Sequence, residues 1–304
     1  LEERSAGDVW FGQLVWNRDL AVTRFIETDH RPSTVVVTVR RTRGGNNPIA
    51  LFFGGLTGQQ GGDVVVRAEV TIDNRIRGVR PFRGAPVPAL PLAILARDPA
   101  GSRGDTWETA IQNSGGSDQY GYDIETRQVT EQPDGIPELT LRTMANDDNA
   151  IDPNVRLVDL GTGFQIDRLT AQIRRGWTAE NLKALGGELA FDGPPILLPA
   201  RMRFDEPVCA GLDSLIGQSR ICLLYTAAIP AGTDTAEQIR CEQLIAIRIM
   251  DVHWINGSCE LTVQPCVITT RTAVLFTDAS NQQELASADE IGRNRYIYKL
   301  YLSR

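Results

Sequence analysis

The sequence predicts an α+β fold that is β-rich, with mainly antiparallel sheets and a few short inserted helices. Three observations lead there. Runs rich in Val, Ile, Thr and aromatic residues recur along most of the chain, as half-buried strands require. Helical periodicity surfaces only in short windows near the middle. Clusters of Gly, Pro, Asn and Asp separate the runs, which suits short antiparallel connections.

Taken in order, Val9 to Trp16 and Thr34 to Thr42 read as strands. Arg43 to Pro48 is a turn by composition, and Ile49 to Leu56 a compact apolar plug too short to classify by period. Gln59 to Gly62 is a further loop. Asp63 to Ile76 reads as one long strand. Val64, Val66, Ala68, Val70 and Ile72 share one face, and Val65, Arg67, Glu69 and Thr71 share a wetter one. Four prolines between Pro81 and Pro91 make 81–96 an expected linker or extended crossing. It would separate a strand-rich region, 1–80, from a larger α+β region, 97–304, that ends in an antiparallel meander.

Within the larger region, Arg103 to Asn113 is an expected short helix. Tyr120 to Val129 and Glu138 to Thr143 are expected strands, with Pro133-Asp134-Gly135 turning between them. Phe164 to Arg175 places Ile166, Leu169 and Ile173 on one helical face, and Gly176 can end that helix. Thr178 suits the N-cap of a helix over Ala179 to Leu185, stopped by Gly186-Gly187. A third short helix is expected from Val208 to Ile216. Strands follow at Arg220 to Ile229, Glu242 to Ile255, Glu260 to Leu275 and Arg295 to Leu302.

Composition narrows the function. With 42% hydrophobic and 23% charged residues, the chain has the makeup of a folded domain rather than a disordered one. A net charge of -7 without any basic block argues against a nucleic-acid partner, because phosphate binding needs a concentrated positive face. No apolar run approaches the ~20 residues that cross a bilayer. The cysteines, Cys209, Cys222, Cys241, Cys259 and Cys266, crowd into the last third without C-x-x-C spacing. They read as small buried hydrophobes, or as holding one disulfide if the compartment is oxidising.

Catalytic signals are thin. His30 and His253 are the two histidines, and neither has a placed partner in the sequence. His30 lies in a polar turn and His253 in a strand. Gly161-Thr162-Gly163 lacks the third glycine of a dinucleotide loop, and no Gly-Lys-Ser/Thr ending marks a nucleotide site. The expectation is no enzyme and no cofactor. One stretch has hard-cation chemistry: Asp147, Asp148, Asn149, Asp152 and Asn154 offer the oxygens that calcium takes, without EF-hand spacing, so a solvated loop is the simpler reading. Arg103-Gly104-Asp105 matches an adhesion triplet that recurs by chance and reads as surface loop. The five tryptophans are scattered and read as core anchors, not as a sugar platform.

Asn256-Gly257 carries the sharpest geometric expectation. This dipeptide favours a two-residue type I′ hairpin, whose central residues both need positive φ. Ile255 then faces Ser258, Trp254 faces Cys259, Val252 faces Leu261 and Met250 faces Val263, all on one apolar side. On the other side His253 faces Glu260 as a cross-strand pair, and Asp251 faces Thr262. Cys259 and Cys266 point to opposite faces, roughly 23 Å apart at ~3.3 Å per residue, too far for a disulfide.

Several segments, in order, resemble one family. They are Asp8-Val9-Trp10-Phe11-Gly12, Pro32 to Thr42, Asn47-Pro48-Ile49-Ala50-Leu51-Phe52-Phe53-Gly54 and Val64 to Val70. Further on come Pro88 to Ile94, Pro133 to Glu138, Leu182 to Leu189, Ile216 to Tyr225 and Val263-Gln264-Pro265. Together they resemble the region after the membrane helix of TadG-like (TadE/TadG family) proteins of tight-adherence, Flp-type pilus assembly. The resemblance implies a pilin-like first region and an N-terminal membrane helix upstream of Leu1. It places the rest on the extracytoplasmic side of a bacterial membrane, with pilin-like or secretion-system proteins as partners. Some relatives carry a metal-binding Asp-x-Ser-x-Ser loop; this sequence has none, so metal-dependent adhesion does not carry over. The expected role is structural. A surface carbohydrate- or ligand-binding module is the alternative, followed by a hydrolase using scattered carboxylates.

Overall fold

The computed structural model describes residues 8–17, 22–53, 56, 58–59, 61–144, 152–233, 236–276 and 293–302. The chain is β-rich and mainly antiparallel, with a few short helices, as its composition predicts. It divides into two compact units: Leu1–Asp73 with Leu300–Arg304, and Asn74–Lys299.

In the first unit, β1 (Val9–Asn17), β2 (Val22–Glu27), β3 (Thr34–Arg41) and β6 (Val64–Asp73) form an antiparallel sheet in the order β2-β1-β3-β6. A small ladder of β4 (Ile49–Ala50) and β5 (Gly61–Gly62) sits in the β3–β6 connection. Alternation set the two faces of β6 as expected, but the burial is inverted. Glu69 and Thr71 are buried, together with Thr34 and Val36 across the ladder, while Val64, Val66, Ala68 and Ile72 are exposed. Thr34 and Thr71 hydroxyls meet at 3.1 Å, and Arg67 reaches buried Glu69 at 3.5 Å, so the polar atoms on the covered face find partners. Periodicity determines which residues share a face; tertiary packing determines which face is covered.

The second unit begins with β7 (Ile76–Val79) and β8 (Ala89–Leu95). The hairpin of β9 (Gly121–Asp123) and β10 (Gln128–Thr130), then β11 (Leu139–Arg142) and β12 (Val155–Val158), follow. Helix α1 (Ile166–Arg175), β13 (Leu189–Ala190), β14 (Ile196–Arg201) and helix α2 (Glu206–Asp213) come next. The long strands β15 (Ser219–Thr233) and β16 (Ala236–Ile255) lead to β17 (Ser258–Pro265), β18 (Ile268–Thr270), β19 (Ala273–Leu275) and β20 (Ile297–Leu302), of which 297–299 belong to the second unit and the remainder to the first.

The main sheet runs β11-β17-β16-β14-β12-β8-β15, and β15 pairs again with β16. The strands β16, β14, β12, β8 and β15 therefore close a ring, with β8 and β15 its one parallel pair. One side of all five contributes to a single core that includes Ala93, Val158, Leu198, Leu223 and Ile239. The opposite side of β14 and of the first half of β16 is exposed at Leu197, Gln238 and Arg240, so the ring encloses this core. A second core lies on the other side of β8, β12 and β15. There Leu92, Leu157 and Leu224 pack with Leu169 and Ile173 of α1, Val208 and Leu212 of α2, and Leu261 and Val263 of β17.

The Pro-rich stretch 81–96 is not a linker. Ala89–Leu95 is wholly buried, with β12 on one side and β15 on the other. The Leu95 N–H donates toward β12, to the Asn154 carbonyl, and the Ala96 N–H toward β15, to that of Tyr225, so alternation turns position 91 toward β12; the ladder there ends at Leu92 opposite Leu157, and Pro91 falls just beyond it. Tyr120 to Val129, expected as one strand, is the β9–β10 hairpin. The α1 stop matches the sequence: Gly176 has φ 89°, and a Cβ there would meet the Val87 carbonyl oxygen at 2.0 Å.

Candidate functional site

Local turn chemistry builds the β16–β17 hairpin. Asn256 and Gly257 have φ of 51° and 77°, the positive pair that a type I′ turn requires. Ile255 faces Ser258, Trp254 faces Cys259, His253 faces Glu260, Val252 faces Leu261 and Asp251 faces Thr262. The register then shifts: Ile249, not Met250, faces Val263. Met250 is the extra residue of a β-bulge, which returns Ile245, Ile247 and Ile249 to the same core as Val252. Sequence spacing alone carries no signal for such an insertion.

The solvent side of this hairpin collects the titratable groups. His253 Nε2 lies 2.7 Å from Asp251 Oδ2, and the Tyr120 hydroxyl donates to the same oxygen at 2.9 Å. Burial, then the bond to Asp251, pushes the Tyr120 hydroxyl up to about 12. Glu260 instead takes Arg142 of β11, Nε to Oε2 at 3.3 Å. His253 and Glu260 are thus opposite in register, but each pairs with another residue. The side chain of His253 is 59% exposed, and exposed ion pairs of this kind contribute at most ~1 kcal/mol. The Arg142–Glu260 pair joins β11 to β17, and the Tyr120–Asp251 bond ties the segment before β9 to β16. The Asp251–His253 pairing was legible as an i,i+2 repeat on one strand face; nothing in the sequence points to Tyr120.

On the core side, Cys209 of α2 and Cys259 of β17 form a disulfide, with Cα atoms 5.8 Å apart. Cys222, Cys241 and Cys266 are free thiols. Burial pushes the Cys241 thiol up to about 12 and raises those of Cys222 and Cys266. The expected separation of Cys259 from Cys266 holds. Of the two readings of the cysteines, one disulfide is what the structure holds, because α2 carries Cys209 against the hairpin, while Cys222 and Cys241 are buried thiols.

Of the expected calcium loop, Asp147, Asp148 and Asn149 lie outside the described residues. Asp152 pairs with Arg103 at 2.8 Å. Asn154 is fully buried; its Nδ2 donates to the carbonyls of Asp105 and Thr140, and its Oδ1 accepts the Arg142 N–H. It clamps three segments together, so its carboxamide oxygen is already engaged. Arg103 also grips Asp105 at 2.8 Å and holds that carboxyl below its usual range. The Arg-Gly-Asp triplet is a structural corner.

An apolar display lies elsewhere, on the outward side of the first unit's sheet. Cross-strand register puts Val66, Val39, Val35, Val70, Phe11 and Val15 on one face, with Ile26 of β2 beside them. Val66 is 58% exposed, Ile26 51%, Val39 50% and Val15 42%. An outward antiparallel face normally carries polar residues. Here apolar residues from four strands predominate on it, with Gln13 and Arg24 interspersed. Against this architecture, no family model, no curated protein and no solved structure matches the chain.

Proposed function

We propose that the chain is an extracytoplasmic structural or assembly component that works through protein–protein contacts. The TadG-like resemblance makes a tight-adherence pilus or a related envelope secretion system its setting. The apolar outward face of the β2-β1-β3-β6 sheet carries the reading, since exposed Val, Ile and Phe side chains drawn from four strands suit contact with another protein chain. The Cys209–Cys259 bond supports the compartment, because such cross-links persist where the surroundings are oxidising. The membrane anchor of this reading is a helix upstream of Leu1, and no helix among the described residues is long and apolar enough to cross a membrane.

The test is a paired substitution, Phe11→Glu with Ile26→Lys, which places opposite charges on neighbouring strands of the outward face. The variant should keep its melting temperature while losing its pilin-like or secretion-system partners in envelope extracts. Retention of those partners by a folded variant would remove the face from the account.

One observation favours a second reading, a ligand-binding module. A cleft of about 330 Å³ beside α1 is lined by Arg168, Gln172, Arg175, Thr178 and Asn181, with one carboxylate, Glu180, among them. Two guanidinium groups beside amide and hydroxyl groups suit an acidic sugar. Calorimetric titration with a uronic acid decides it: saturable heat that Arg168→Ala abolishes supports this reading, and no heat rejects it.

A further inference from the structure

Helix α1 carries Arg168, Gln172 and Arg175 at i, i+4 and i+7, one stripe about two helical turns long that forms a wall of the cleft. Gln172 is 3% exposed, whereas both arginines are exposed, so the amide lies deep and the guanidinium groups shallow. Gln172 Nε2 donates to the Leu160 carbonyl at 3.3 Å. That bond identifies the nitrogen end of the amide and leaves Oε1 as the other. The buried Oε1 accepts no hydrogen bond among the described residues. An acceptor buried without a donor is a standing cost to a fold, and native proteins leave few of them.

Much of the remaining lining is already engaged. The Thr178 N–H and hydroxyl both donate to Asn181 Oδ1 at 2.9 Å, and the Asn181 N–H returns to Thr178 Oγ1 at 3.4 Å. Glu180 lies 3.8 Å from Lys183 Nζ in an exposed pair. Neither Arg168 nor Arg175 pairs with a carboxylate among the described residues. The cleft thus offers two cations and one deep, unused acceptor. Guanidinium groups take a carboxylate, but Gln172 Oε1 is satisfied only by an O–H or N–H donor. A plain anion answers the first need alone. A carboxylate that also bears a hydroxyl answers both.

We infer that Gln172 is the specificity-determining residue of this cleft: its Oε1 accepts a ligand hydroxyl while Arg168 and Arg175 hold the ligand carboxylate, so hydroxylated carboxylates are selected over plain ones. The inference rests on the ligand-binding reading of the cleft and adds to it the group that discriminates.

Calorimetric titration of the full chain with glucuronate and with cyclohexanecarboxylate tests it. Both ligands have a six-membered ring and a carboxylate, and only glucuronate carries hydroxyls. The parent should bind glucuronate more tightly by about tenfold or more. Gln172→Met keeps the length of the side chain and removes the acceptor. It should weaken glucuronate by about tenfold and leave cyclohexanecarboxylate unchanged, whereas a merely structural role would weaken both alike. Gln172→Met also loses the bond to Leu160, so its thermal midpoint is compared with the parent's. If the variant does not fold, the parent's choice between the two ligands decides. Equal or reversed affinity in the parent, or glucuronate binding that a folded Gln172→Met leaves unchanged, overturns the inference and leaves the cleft a simple carboxylate site. No heat with either ligand rejects the ligand-binding reading itself, and the inference with it.

Discussion

Cys209 on α2 and Cys259 on β17 are joined across an apolar core, their Cα atoms 5.8 Å apart and their positions 50 residues apart in the chain. The bond closes a long loop and fixes the helix to the hairpin. Cys209→Ala with Cys259→Ala should lower unfolding free energy by ~2–4 kcal/mol. Thiol titration of the denatured, unreduced protein should count three thiols, rising to five after reduction. Five thiols before reduction would show the bond absent.

Arg156 and Glu237 form an ion pair on the inner side of the ring, where Arg156 is 5% exposed and Glu237 8%. Arg156 also donates to the Pro153 carbonyl at 2.7 Å and lies over the Tyr225 ring. Arg156→Ala leaves a buried carboxylate without its cation and should cost about 3–5 kcal/mol in urea unfolding. Arg156→Met with Glu237→Leu should recover most of that loss. An unchanged midpoint for the single variant would contradict the buried pair.

Tyr120 should titrate late. Its pKa rises from 10.0 to about 12, with burial the larger cause and the bond to Asp251 the next. Folding favours the protonated phenol, so the associated stability is complete below pH 10.0 and is lost as pH rises through about 12. In the phenolate absorbance titration, Tyr120→Phe should remove one tyrosine from the late phase. Tyr225, also pushed to about 12 by burial, remains in it. Loss of an ordinary-range tyrosine instead would contradict the Asp251 contact.

Gly257 at φ 77° follows Asn256 at φ 51° in the hairpin turn. Gly257→Ala should cost about 1–2 kcal/mol, because an alanine Cβ crowds the following carbonyl in the left-handed region. Asn256→Gly should be close to neutral. Equal and negligible effects at both positions would argue against this turn.

The hairpin was legible because its information is local: Asn256-Gly257 fixes the turn, and alternation fixes the pairs beyond it up to Met250. The bulge there was not legible, since one extra buried apolar residue leaves no trace in spacing. Pairings that depend on distant elements were hidden for the same reason. Cys209 gives no sign that α2 will set it against Cys259, nor Tyr120 that it will reach Asp251. In the first unit the Val64–Ile72 alternation was read correctly as two faces, yet the covered face is the one bearing Glu69 and Thr71. At 81–96 the prolines left a linker and an extended crossing open, and the chain supplies an extended, buried strand there; proline content carries no information on burial.

The proposed function requires contact through the outward face of the first unit's sheet. Photo-crosslinking in producing cells tests it most directly, with a photoreactive residue at Phe11 or Ile26 and, as the control, at Ile124, an exposed position of the second unit. The account predicts light-dependent adducts at Phe11 and Ile26, absent at Ile124, whose partners are pilin-like or secretion-system proteins of the envelope. Adducts with cytoplasmic proteins, or none at either face position while Ile124 crosslinks, would contradict it.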